Sequence, residues 1–241
     1  MRVNMKKRET RGKKKIGLNL LWGILLVIGL LLVFSDPIKN WLVAMDSENL
    51  TINAMDATTI EKNQQKKASF EFEEVQLLDL ETVALARFNS DQINVIGGIS
   101  IPSVNLNLPI GKGTSEYTLA LTAGTMKEDQ IMGERNYALA GHHMKRSDLL
   151  FSPLYKVELG DTIYLTDLKS VYEYEVIEQR TIEATKVSVL DDIPGETTLT
   201  LITCDDDGVT RLLTKAEFIN KVPVEKASAE MTEAFDLKIN N

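Results

Sequence analysis

One cysteine, two adjacent histidines and an arginine that opens an apolar run are the side chains of this 241-residue chain best placed for covalent chemistry. Cys204 closes the run TTLTLITC and is followed by Asp205, Asp206, Asp207 and Gly208. A lone cysteine is ordinarily a small buried hydrophobe, but one at the end of a β-favouring run beside a polar loop sits where scaffolds present reactive groups. Such a thiol reacts as its thiolate, which the three following carboxylates disfavour, so a positive partner is required. His142 and His143, the only histidines, end the run that begins at Tyr137. Either can serve as acid and base to a cysteine nucleophile, since neighbours in extended chain face opposite ways. Arg211 opens RLLTKAEFI across the turn DDDGV from Cys204. Its guanidinium suits an oxygen that gains charge during acyl transfer, and equally a surface ion pair with Asp205 or Asp206.

These residues need strands to hold them. From residue 89 onward the sequence reads as short β-rich runs broken by turn residues: INVIGGISIPSVNLNLPI, NYALAGHHM (136–144), TIYLTD (162–167), VYEYEVIEQRTI (171–182), TTLTLITC (197–204) and TRLLTKAEFI (210–219). In the fourth, Tyr172, Tyr174 and Val176 alternate with Glu173 and Glu175, giving one apolar and one acidic face. Many short strands with few helices predict a mainly β fold, a closed or nearly closed barrel, over 89–226. A helix is predicted from about Phe72 to Ala86 within an appendage at 68–88, with Val75, Leu78, Thr82 and Leu85 on its apolar stripe. Residues 35–67 read as a polar stalk, and 227–241 as a polar tail.

The N-terminus differs from the rest. Eight basic side chains against Glu9 give residues 1–15 a charge of +7, leaving −15 on the remainder of a chain whose net charge is −8. So acidic a body argues against nucleic acid as a partner. Residues 16–34, IGLNLLWGILLVIGLLLVF, carry no charge; as a helix they would measure about 28 Å, near the roughly 30 Å of a bilayer core. With the basic cluster before them, they predict a single-pass signal anchor with a cytoplasmic N-terminus and an extracellular catalytic part. A cleaved signal peptide is the competing reading, but its apolar region is usually shorter and ends in a small-x-small site.

Taken together, the anchor, LAGHHM (139–144), TLITC (200–204) and Arg211 in TRLL resemble the sortases, specifically the class A or housekeeping type, over roughly residues 90–224. The resemblance implies a closed eight-stranded barrel with short helices and a cysteine transpeptidase. Its substrates would be secreted proteins bearing an LPXTG-type signal, cut between Thr and Gly through a thioacyl enzyme. The acceptor would be the amine of the peptidoglycan precursor lipid II. By motif position it makes His142 the catalytic histidine beside Cys204 and Arg211. It also places Ala140, Thr203 and His143 near substrate, with Val187, Val189 and Leu190 of VSVLDDIPG as the apolar wall for the signal's Leu and Pro.

One departure concerns metal. Some class A members bind Ca²⁺ through acidic residues before the histidine strand and one in the recognition loop. Glu134 and Asp192 match, but Lys127 and Gln130 stand where further carboxylates are needed, and Ca²⁺ wants six to eight oxygens. The expectation is an enzyme with no cofactor. A class C, pilin-polymerising sortase would use the same three residues but usually carries a lid and a second span, and the tail from Lys226 is polar. A non-catalytic surface adaptor would need the catalytic set to arise by coincidence.

Overall fold

The computed structural model describes residues 19–44, 50, 52–70, 78–204 and 209–236. The chain forms two compact units, Met1–Lys39 and Asn40–Asn241. Helix α1 (Asn19–Val33) lies in the first and is followed after Phe34 by α2 (Ser35–Val43), bent from it by 61°, whose residues from Asn40 on belong to the second. Pro37 lies in the first turn of α2, where its missing N–H costs least; the same gap breaks the ladder back to Val33. No single helix among the described residues is long and apolar enough to cross a membrane, although α1 and α2 together pass by length and composition. Residues 16–18 of the expected span lie outside the described part.

The second unit is built on a closed barrel. Its strands are β1 (Val95–Ile101), β2 (Leu106–Gly111), β3 (Ala123–Thr125), β4 (Asn136–Gly141), β5 (Thr162–Thr166), β6 (Ser170–Glu183), β7 (Thr198–Cys204) and β8 (Thr210–Pro223). They pair in the order β1-β2-β3-β4-β7-β8-β6-β5, and β5 closes back onto β1. Two pairings are parallel, β2 with β3 and β4 with β7; the rest are antiparallel. Alternation sets which side chains fill the interior: Tyr172, Tyr174 and Val176 are buried while Glu175 is exposed. The apolar interior includes Ile99, Ile101, Leu108, Leu139, Leu165, Leu199 and Leu201.

The structure corrects three sequence expectations. The helix of the appendage, α4, covers Leu80–Phe88, not Phe72–Ala86, because the Asp79 carboxylate accepts from the Thr82 amide and caps it there. Its buried residues are Val83 and Ala86, whereas Leu85 of the expected stripe is 40% exposed. The part of that expectation over 71–77, including Val75, lies outside the described residues.

The segment expected to be a polar stalk also contributes core. Val43, Leu50, Ile52 and, from α3 (Ala57–Gln64), Ile60 are buried in the same cluster as the barrel strands. Asn63 donates to the Val95 carbonyl at 2.8 Å, and Arg87 donates to the Leu42 and Val43 carbonyls at 2.9 and 2.7 Å. Four apolar side chains spaced along a polar segment suffice to seat it, though they show no sustained period.

The polar tail is likewise packed. Met231 of α5 (Ala229–Glu233), Ala234 and Phe235 are buried against Tyr164 and Val171. The carbonyls of Ala234 and Phe235 accept from the side chains of Ser100 and Asn107 at 2.6 and 3.1 Å.

Candidate active site

The barrel's registers bring the expected residues together. Parallel β4 and β7 match Ala140 with Ile202 and Gly141 with Thr203, so the next residues along, His142 and Cys204, leave the ladder side by side. β7 and β8 are antiparallel, and their final rung pairs Cys204 with Arg211. Paired residues project to the same face of a sheet. Extended one step, the register puts His142 on the face of Cys204 and Arg211, and alternation turns His143 the other way. β4 itself ends at Gly141, one residue before His142. Residues 205–208, with the carboxylates offered as alternative partners of Arg211, lie outside the described part.

Cys204 and Arg211 are both half-buried. Burial pushes the Cys204 thiol up, and the Arg211 charge pulls it part of the way back. The cation therefore favours the thiolate that a nucleophile requires. Arg211 Nη1 donates to the Thr210 carbonyl at 2.9 Å.

Around this set, backbone and side chains are tied in layers. Thr203, expected at the substrate, is buried, and its hydroxyl donates to the Gly141 carbonyl at 2.8 Å, fastening β7 to β4 one residue below the reacting groups. Phe151 donates its amide to the His142 carbonyl at 3.0 Å and packs its ring where a Cβ on Gly141 would lie 2.6 Å from it. The buried Ser152 hydroxyl accepts from the Met144 amide at 2.7 Å and bonds the Met144 carbonyl at 3.2 Å. Ala140 is half-buried at the β4 end.

The loop between β6 and β7 carries a short 3₁₀ turn, Val187–Leu190. Val187 is 65% exposed and Val189 and Leu190 half-buried, so the three are not core; they stand as an apolar rim. The loop is pinned to the barrel by groups that the sequence reading had not assigned to it. Asn136 Nδ2 donates to the Val189 and Asp191 carbonyls at 3.0 and 3.3 Å, while its Oδ1 accepts from Thr200 at 2.8 Å. The signal for Asn136 was available: an amide opening an otherwise apolar strand must spend its polar atoms on something.

Lys127 Nζ donates to the Leu190 carbonyl at 3.1 Å and to Asp192 Oδ1 at 2.6 Å, and Arg135 Nη1 reaches Asp192 Oδ2 at 3.2 Å. The Lys127 hydrogen bond first, then the Asn136 amide and both cationic charges, hold the Asp192 carboxyl below its usual range against a smaller opposing effect of burial. Gln130 is spent on the Ala138 backbone, accepting at 3.1 Å and donating at 2.9 Å. Glu134 is exposed. Among the described residues no three His, Cys, Asp or Glu side chains are grouped to hold a metal ion.

A half-buried thiol therefore ends β7 of a closed barrel with an arginine on its rung, and the comparisons with known proteins say which family carries that fold. The sortase-domain profile matches residues 99–219. Sortase A of Listeria monocytogenes serovar 1/2a (strain ATCC BAA-679 / EGD-e) is 49% identical over 182 residues, spanning 76% of this chain and 82% of that protein. Sortase A of Streptococcus agalactiae serotype III (strain NEM316) is 41% identical over 223 residues, 90% of each. The crystal structure of Listeria monocytogenes sortase A superposes with a TM-score of 0.55 at 43% identity, over 58% of this chain and 97% of that one. Sortase C-3 of Streptococcus pneumoniae, at 19% identity, shares the fold with a TM-score of 0.57 over 74% of this chain and 92% of that one. The chain belongs to the sortase family of cysteine transpeptidases and is of class A.

Proposed function

We propose that this enzyme attaches secreted proteins to the cell wall by cutting an LPXTG-type signal between Thr and Gly and passing the acyl group to an amine of lipid II. The observation that supports the reading is the pair of registers: Cys204 and Arg211 share the last β7–β8 rung, and the β4–β7 register runs to Gly141 and Thr203, the residues just before His142 and Cys204. In the first half-reaction the Cys204 thiolate attacks the Thr carbonyl carbon. The C–N bond to Gly breaks, and the His142 imidazolium gives its proton to the departing amine. In the second, the acceptor amine attacks the thioester carbon and loses a proton to His142 as the Cys204 thiolate leaves. Arg211 donates to the oxygen that is negative in each tetrahedral intermediate.

Val187, Val189 and Leu190 receive the signal's Leu and Pro; Ala140 and His143 border the substrate; Thr203 acts by holding β4 to β7. Lys127 provides at Asp192 the positive charge that Ca²⁺ supplies in some class A enzymes, so this enzyme works without the ion. Residues 16–34 anchor the chain in the membrane, leaving the barrel outside the cell.

Cys204→Ala tests the reading directly. Cleavage and transfer of an LPXTG peptide should both be lost while circular dichroism and melting temperature stay at wild-type values. Activity above a trace in that variant would remove the mechanism, since the chain has no second thiol.

A further inference from the structure

Tyr155 is the side chain that joins the two halves of the site. It lies on the 3₁₀ segment Ser152–Lys156, directly after the buried Phe151, and is 41% exposed. Its ring stacks on His143, with centroids 4.7 Å apart and planes inclined by 25°. Its hydroxyl donates to the carbonyl oxygen of Cys204 at 3.3 Å. One aromatic side chain therefore touches the peptide unit of Cys204 and the residue next to His142.

The platform under Tyr155 is firm. The Phe151 amide is bonded to His142, the Ser152 hydroxyl to both polar atoms of the Met144 backbone, and Gln179 of β6 donates to the Leu154 carbonyl at 2.9 Å and to Thr214 of β8 at 3.0 Å. Leu149, Leu150, Phe151 and Leu154 are buried beneath it. Segment 142–156 thus returns Tyr155 to the turn it left, with its position fixed from β4, β6 and β8.

We propose that Tyr155 is a positioning residue for transpeptidation, holding the nucleophile's peptide plane and the histidine pair in one frame. Two constraints follow from its contacts. The carbonyl of Cys204 lies at the last β7–β8 rung, so a donor there restrains the peptide unit that carries the thiol. The stack restrains the His143 ring, and because neighbouring side chains in extended chain alternate, holding His143 on its side keeps His142 on the side of Cys204. Thr203 and Gly141 make the corresponding tie one layer deeper. This proposal rests on Cys204 and His142 being the reacting groups.

Tyr155→Phe keeps the stack and removes the donor, while Tyr155→Ala removes both. With an LPXTG peptide and a glycine-based amine, Tyr155→Phe should lower kcat about fivefold, the effect of one neutral hydrogen bond, with KM little changed. Tyr155→Ala should lower kcat about twentyfold through the added loss of an aromatic stack. The substitution should cost much less in a His143→Ala background, where the stack is already gone.

Two further readouts separate positioning from folding. The endpoint of Cys204 titration with a vinyl sulfone should stay at one per chain, and melting temperature should change little. Wild-type kcat in both variants, a loss confined to KM, or a fall that tracks the titratable fraction would each overturn the proposal. Inert Cys204→Ala together with wild-type kcat in both Tyr155 variants would remove the positioning role alone. Active Cys204→Ala would remove the reading beneath it.

Discussion

Cys204 is held between two opposing influences, burial that raises the thiol and the Arg211 guanidinium that lowers it. The proton balance has a definite sign. With the thiol above its ordinary value, iodoacetamide alkylation of Cys204 should climb with pH to an inflection above that of an unperturbed thiol. Arg211→Ala removes the lowering influence and should move the inflection higher still; a downward shift would show that Arg211 does not act on Cys204. Arg211→Lys keeps the charge but not the directed pair of donors, so alkylation should stay near wild type while peptide transfer falls sharply. The histidines should separate as well. His142→Ala should remove an acid and base worth about 10²- to 10⁴-fold in rate, whereas His143→Ala, which loses the stack on Tyr155, should cost about fivefold. Equal losses, read as kcat/KM on the same peptide, would refute the register argument.

Among the elements, the β6–β7 loop is fastened chiefly by Asn136, Lys127 and Arg135, none of which belongs to it. Asn136→Ala should raise KM several-fold and lower the melting temperature, because it also orphans the buried Thr200 hydroxyl. The Asp192 tie depends on pH. Its carboxyl titrates lower in the folded protein than in the unfolded chain, so the tie is intact above the ordinary carboxylate range and fails as pH falls through the lowered value. KM should therefore rise on acidification in the wild type and be flatter in Lys127→Ala. Strand positions were legible because alternation and turn residues mark them: TTLTLITC becomes β7 with one residue trimmed, and LAGHHM ends its strand at Gly141. Asn136 and Tyr155 were not assigned. Asn136 reaches Val189, and Tyr155 reaches Cys204, across 53 and 49 residues of chain, and a contact of that range leaves no local pattern.

For the whole molecule, the boundary of the folded unit falls far earlier than hydropathy suggests. Val43, Leu50, Ile52 and Ile60 lie in the barrel's own cluster, and each fully buried aliphatic side chain contributes about 1.5–3 kcal/mol. A fragment beginning at Asn40 should melt cooperatively, and one beginning at Ala68 should melt at least ten degrees lower, or fail to fold, by the lost burial of about four side chains. Equal melting temperatures would restore the stalk. Transfer by the Asn40 fragment should be the same in EDTA and in millimolar Ca²⁺, since Lys127 already neutralises Asp192. A several-fold rise with Ca²⁺ would mean that Glu134 and Asp192 do meet an ion. The tail was hard to read for the same reason as the stalk: Met231, Ala234 and Phe235 are too few to form a period but enough to dock.

The thioacyl intermediate is the most direct witness to the chemistry. Incubated with an LPXTG peptide and no acceptor amine, the intact protein should gain the mass of the peptide's acyl portion through Thr. Peptide mapping should place that mass on Cys204, and adding a glycine-based amine should discharge it into the ligated product. A protein that turns the peptide over while carrying no adduct at Cys204, or that carries one which the amine does not release as product, would contradict the account.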